Sequence, residues 1–368
     1  MDSNQAPPTV TTAPVWPTPP PPSGDGNGVF IGRFGLRAGW GIAIYILIFA
    51  TLLAIVTFAS LAATGKLKDA MAKQATKAKT QSSSAPAQPK PNPEIKVNDA
   101  ILNEGSGFLA VAFATWILSR IERRRNGVYG IGNNRRRDFL PGAFWGIACL
   151  SALVGVLRAT HVLVFDGRAL TGLPIFVFGV KWLLLFLLVG FLEEYLTRGY
   201  LQYTLTRGLF GLGNLISPTN ARAIAFWFAA VIMSFIFGAI HLANPGETTP
   251  GIIAVFVVGM VFSYVLWHTG SLWWGIGFHM AWDWAQSFLY GVPDSGTLNV
   301  GRLFNTHPTG NPLLSGGTTG PEGSVYVLPT LLLVVVIVRF TTRRGEQPTF
   351  EPLPEPQSLP PESAAVIA

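Results

Sequence analysis

Cysteine, charge and internal repeats are all scarce in this chain. The single cysteine, Cys149, excludes an internal disulfide and any cysteine-built zinc site. Charged residues make up 12% of the 368 residues, against about 25% in an ordinary soluble domain. No His-Glu-x-x-His run is present, so a zincin helix is excluded. No period of 20–50 residues recurs, which excludes a solenoid, and no pair of Gly/Pro-broken helices repeats in inverted order as in many carriers.

What is present is apolar. The hydrophobic fraction is 49% and the mean hydropathy +0.40, which fits a polytopic membrane protein. A formal net charge of +7 would suggest nucleic acid in a soluble chain. Here the basic residues flank apolar segments, so they read as membrane flanks and a nucleic-acid partner is set aside. Membrane lipid is the expected surrounding.

Residues 1–36 form a Pro-rich tail, with Pro19 to Pro22 consecutive, and cannot bury enough apolar surface to fold. The first apolar run, about 38–63, is too long for a signal-peptide core and predicts a retained transmembrane helix over 37–64. A polar linker with seven lysines follows over 65–100. Further apolar segments lie at about 101–119, 139–164, 172–196, 222–243, 251–268, 271–291 and 324–340, each near the ~20 residues that cross a bilayer core. The expected fold is therefore all-α: a polytopic membrane helical bundle of about eight transmembrane helices. Residues 292–323 read as an exposed loop, and 342–368 as a disordered Pro-rich tail. Arg120, Arg123, Arg124, Arg125, Arg135, Arg136 and Arg137 crowd the loop between the second and third segments, which places that loop and both termini in the cytoplasm. The lysines of the linker oppose this assignment; they are spread out and interspersed with acids.

Ionisable residues inside a span cost about 2.5–3.5 kcal/mol at a helix centre, and so mark function. The run Glu193-Glu194-x-x-x-Arg198 closes an apolar stretch. Successive helical residues point about 100° apart, so the two acids cannot face one point, whereas residues four apart share a face. Glu194 and Arg198 thus suit an intrahelical ion pair, and Glu193 is left to face a cavity. Downstream lie Phe237-x-x-x-His241 and His279-x-x-x-Asp283. Glu193 near His241 would have what a general base needs. His161 and His268 match no such pattern and read as structural. Trp267, Trp273, Trp274, Trp282 and Trp284 read as packing and interfacial residues.

These three motifs, in this order on separate membrane helices, resemble the CAAX-protease and bacteriocin-processing family of intramembrane endopeptidases, which includes the type II CAAX prenyl endopeptidase and the prokaryotic proteins once called abortive-infection proteins. Thr269-Gly270-Ser271-Leu272-Trp273-Trp274-Gly275-Ile276-Gly277-Phe278 is similar to the family's lead-in to the last motif. The resemblance covers residues 171–291. It implies that Glu193 and His241 activate a water, that His279 with the residue at 283 stabilises the oxyanion, that Glu194 and Arg198 hold the site together, and that Phe237 walls it. It implies neither cofactor nor metal, a peptide or protein substrate that is membrane-associated or prenylated, and a bacterial cytoplasmic membrane. One departure stands out. Well-studied members have Asn where this chain has Asp283, and an ionised Asp has no proton to give. Asp283 must be protonated by burial or must orient His279. The C-terminus Ala365-Val366-Ile367-Ala368 has no CAAX cysteine, so the chain is not expected to be prenylated itself. The rival readings are a proton-coupled transporter, because buried Glu, His and Asp also form relays, a metal-dependent protease, and a non-catalytic immunity or scaffold protein.

Overall fold

Each of the eight apolar segments folds as a helix in the computed structural model, which describes residues 28–65, 67–68, 72 and 92–353. The order is α1 (Ala38–Ala63), α2 (Val97–Ile121), α3 (Phe139–Ala159), α4 (Leu173–Glu194), α5 (Gln202–Ile216), α6 (Ala221–His241), α7 (Thr249–Thr269), α8 (Trp273–Trp284) and α9 (Val327–Thr341). The N-terminal tail before residue 28, most of the linker and the chain beyond 353 lie outside the described residues, and with them most of the expected disorder. Six helical runs are long and apolar enough to cross a membrane, while α8 and α9 pack in the same bundle but are shorter.

The α4 run differs most from expectation. It does not stop near residue 196: Tyr195–Leu201 continues it as a π-helical turn into α5, and helix persists from Leu173 to Ile216. At 1.5 Å per residue such a run far exceeds the ~30 Å hydrocarbon core. No proline or loop composition interrupts Glu193 to Gln202, so nothing in the sequence stops the helix there. Wide turns of this kind recur at functional sites, because the extra residue re-aims the side chains around it.

Helices α3 and α8 pack backbone to backbone. A Cβ added at Gly142 would lie 2.1 Å from the Trp274 carbonyl oxygen, and one at Gly277 2.1 Å from that of Phe139. Without a hydrophobic drive between helices in lipid, small residues that let backbones meet supply the packing. A larger residue at either position would push the helices apart at about 1–3 kcal/mol or more. This contact fixes α8, the helix that carries His279 and Asp283.

Short strands decorate the bundle where only helices were expected. β1 (Ile31–Gly32) pairs antiparallel with β2 (Gly35–Leu36), β3 (Glu94–Ile95) parallel with β5 (Leu298–Asn299), and β4 (Leu163–Arg168) antiparallel with β6 (Phe304–Pro308), with a bulge between Phe165 and Gly167. The segment 292–323, expected as an exposed loop, is instead a packed cap. Thr319 is fully buried and its Oγ1 meets Thr248 and Glu247, while Asn92 donates to the carbonyls of Gly296 and Thr318. Its glycines allow this: a Cβ at Gly246 would meet the Gly296 carbonyl oxygen at 2.1 Å. The C-terminal segment 342–353, expected to be disordered, runs as an ordered strap across the arginine-rich face, where Arg124 and Tyr203 donate to its carbonyls.

Candidate active site

The i, i+4 spacing within two helices builds the centre. Arg198 Nη1 donates to Glu194 Oε1 at 2.7 Å, with both side chains about 1% exposed. The guanidinium lies 4.4 Å from the Phe237 ring centroid and 5.5 Å from that of Phe262, so two aromatic faces from α6 and α7 clamp the cation. On α8, His279 Nε2 stands 3.4 Å from Asp283 Oδ2.

His279 ties the two helices together. Its Nδ1 donates to Glu194 Oε1 at 3.2 Å, and its Nε2 lies 3.7 Å from Glu193 Oε2. A Cβ at Gly190 would lie 3.2 Å from the Ile276 carbonyl oxygen, which shows how closely α4 and α8 pass here. His241 enters from the end of α6. Its Nδ1 lies 2.8 Å from the Phe237 carbonyl oxygen, which can only accept, so Nδ1 carries a proton and the neutral ring presents its lone pair at Nε2.

Glu193, His241, His279, Asp283 and Phe237 all line one cavity of about 260 Å³. Glu194 and Arg198 sit behind its wall, as the expected pairing requires. Glu193 Oε2 is buried and has no hydrogen-bond partner among the described residues. An unsatisfied carboxylate oxygen in a cavity is an acceptor left for a bound molecule, since such groups are otherwise costly. The opposite wall is apolar, formed by Val255, Val258 and Val261 of α7 with Leu331 and Val334 of α9.

Three acids in this cavity escaped the sequence reading: Glu104, Asp294 and Glu322. Glu104 carried a usable signal, because it is an ionisable residue inside an apolar segment. Asp294 and Glu322 carried none, since they belong to a Gly- and Pro-rich stretch without period. Ser287 Oγ donates to Asp294 Oδ2 at 2.7 Å, and Trp282 Nε1 to Glu322 Oε1 at 3.2 Å. Burial holds both carboxyls above the ordinary carboxylate range, and for Glu322 the neighbouring charge of Asp294 adds to it. Carboxylate oxygens of Asp283, Asp294 and Glu322 lie within 4.8 Å of one another, the one arrangement among the described residues spaced to hold a metal ion. An all-oxygen set suits a hard cation better than zinc.

The arrangement can position a water against a carboxylate, with two histidines and a carboxyl around it, inside an apolar chamber. No curated protein and no solved structure matches the chain. Residues 175–285, which contain all seven side chains expected from the sequence and leave out Glu104, Asp294 and Glu322, match the model of the type II CAAX prenyl endopeptidase Rce1-like family, a match that supports membership of the CAAX-protease family through this core.

Proposed function

We propose that the chain is an intramembrane endopeptidase that hydrolyses a peptide bond of a membrane-associated or prenylated substrate. The observation that carries this reading is a Glu193 oxygen without a hydrogen-bond partner among the described residues, 3.7 Å from His279 Nε2, in a cavity that His241 also lines. Glu193 takes a proton from a water held against it and against the free Nε2 of His241. The oxygen attacks the scissile carbonyl carbon, and His279 with Asp283 in its protonated form donates to the negative charge that develops on the carbonyl oxygen. The tetrahedral species then collapses, the C–N bond breaks, and the proton passes from Glu193 to the leaving amine. Glu194 and Arg198 act by positioning: Glu194 orients His279, and Arg198 neutralises Glu194. The apolar wall of α7 and α9 suits a lipid-like or hydrophobic part of the substrate.

The acid trio Asp283, Asp294 and Glu322 favours one second reading, hydrolysis assisted by a bound divalent cation. Cleavage of a membrane-anchored reporter peptide by the purified protein in the presence of a chelator separates the two. Unchanged turnover supports glutamate-activated water, and loss that added metal restores supports the cation.

The arginine-rich face is assigned to the cytoplasm, because Arg135 of the first arginine group meets the Arg343 carbonyl and shares the surroundings of His268 with Arg339 and Arg344. Single cysteines placed at 126–134 should react with a membrane-impermeant thiol reagent only after the cells are opened. Reaction in intact cells would invert the orientation.

A further inference from the structure

The strap after α9 lies in a groove built to hold an extended peptide. Five side chains read its backbone. Arg135 donates to the Arg343 carbonyl at 2.9 Å, Arg222 to that of Pro348, Tyr203 to that of Thr349 at 2.7 Å, Arg124 to that of Phe350 at 2.6 Å and Arg123 to that of Leu353 at 3.0 Å. Donors aimed at main-chain carbonyls bind any extended sequence. A pocket for alternate side chains then supplies the selectivity.

Here that pocket takes Phe350, which is 6% exposed. Its ring meets Phe34, Tyr203 and Phe210 at centroid distances of 5.6–5.8 Å, and the Arg222 guanidinium caps it at 4.3 Å. The backbone is drawn in at Gly345, whose nitrogen donates to the His268 carbonyl at 2.9 Å and where a Cβ would lie 1.8 Å from the Thr269 oxygen. Pro348 and Pro352 stiffen the segment into an extended form with no helical alternative.

The groove abuts the candidate site. Gln347, Pro348 and Phe350 close a small cavity of about 30 Å³ whose lining includes Arg198, the partner of Glu194. The Glu194–Arg198 pair therefore stands between the large chamber and this closed space. Removing the strap would open the space to the arginine-rich face.

We infer that the groove formed by Arg124, Tyr203, Phe210 and Arg222 is a docking site for an extended peptide bearing one aromatic side chain, and that residues 345–353 occupy it in cis as a competitor for that peptide. The inference rests on the peptidase reading for what the docked peptide is for, but binding is measured without hydrolysis, so the two stand or fall separately.

The test uses full-length protein and a fluorescent peptide with the sequence of Glu346–Leu353. Phe350→Ala releases the strap and leaves the groove intact. It should bind the peptide at least about tenfold more tightly than wild type, whose groove is filled, since a buried aromatic anchor commonly carries that much binding. Arg222→Ala frees the strap but damages the groove, so it should show faster hydrogen exchange at 346–353 with no gain in peptide binding. A peptide with Ala in place of its Phe should bind none of the three. Equal affinity for wild type and Phe350→Ala, no binding to Phe350→Ala, or equal binding of the Ala peptide would each overturn the inference. Faster exchange at 346–353 with unchanged exchange in α6 to α8 shows that a variant is still folded.

Discussion

Two buried glutamate–arginine centres lie in this bundle, and they differ in what is left unsatisfied. At Glu122 the carboxylate accepts from Arg124 at 2.9 Å, Arg207 at 3.0 Å and Tyr200 at 2.8 Å, and the remaining Arg124 donors reach Tyr203 and the carbonyls of Phe34 and Phe350. Among the described residues, no charged atom of Glu122, Arg124 or Arg207 is left buried without a hydrogen-bond partner, only the neighbouring Tyr129 and Thr204 hydroxyls are, and both the N-terminal segment and the strap are pinned to the cluster. At Glu194 the pair with Arg198 is as short and as buried. Yet Arg198 Nη2 and Glu193 Oε2 are buried without hydrogen-bond partners among the described residues, and the large cavity adjoins Glu193. A closed network holds a fold together; one with spare acceptors and space can do chemistry.

The sharpest way to break this comparison is to remove the acid of the closed centre. Glu122→Ala leaves two arginines buried without a counter-ion and should cost about 3–5 kcal/mol of stability. Turnover per folded molecule should stay near wild type. Denaturant unfolding in detergent, with activity normalised to folded protein, reads both. Loss of turnover with stability unchanged would mean that the two centres are not distinct in kind.

At the open centre, Asp283 tests which groups touch the reacting atoms. If Asp283 gives a hydrogen bond to the oxyanion, Asp283→Asn keeps substantial activity and loses less of it at alkaline pH than wild type. Asp283→Ala should lose about 10²–10³ in rate, as for one oxyanion donor. If an ionised Asp283 instead orients His279, Asn is nearly as damaging as Ala at every pH, and a pH–rate profile of the three proteins decides.

A smaller effect sharpens the contrast through stability. Asp294 and Glu322 hold their protons more tightly folded than unfolded, because burial disfavours their charged forms. The folded state then binds more protons than the unfolded one above the ordinary carboxylate range, so stability falls as pH rises. The favourable contribution is full below about pH 4 and is lost as pH passes through the raised folded values. Glu322→Gln removes one titrating group and should flatten the decline in melting temperature from mildly acidic to neutral pH. An unchanged slope would remove Glu322 from the account.

The contrast also explains what could be read in advance. The pairs Glu194 with Arg198 and His279 with Asp283 were legible because helix periodicity puts residues four apart on one face. The eight apolar segments were legible by length and hydropathy. Glu122 was hidden inside an arginine-rich stretch that looked like a solvated membrane flank, and its partners Tyr200 and Arg207 lie about eighty residues away. Asp294 and Glu322 were invisible because a Gly- and Pro-rich stretch has no period, and its burial depends on close glycine contacts such as Gly246 with Gly296. The π turn at Tyr195–Leu201 leaves no mark in composition.

The central claim is that Glu193 is the base that activates water. The most direct measurement is cleavage of a membrane-anchored reporter peptide by purified wild type, Glu193→Gln and His241→Ala, reconstituted in liposomes with chelator present. The account predicts turnover by wild type and a loss of at least about 10²–10⁴-fold in both variants, with unfolding midpoints unchanged. Near wild-type turnover by Glu193→Gln would contradict it.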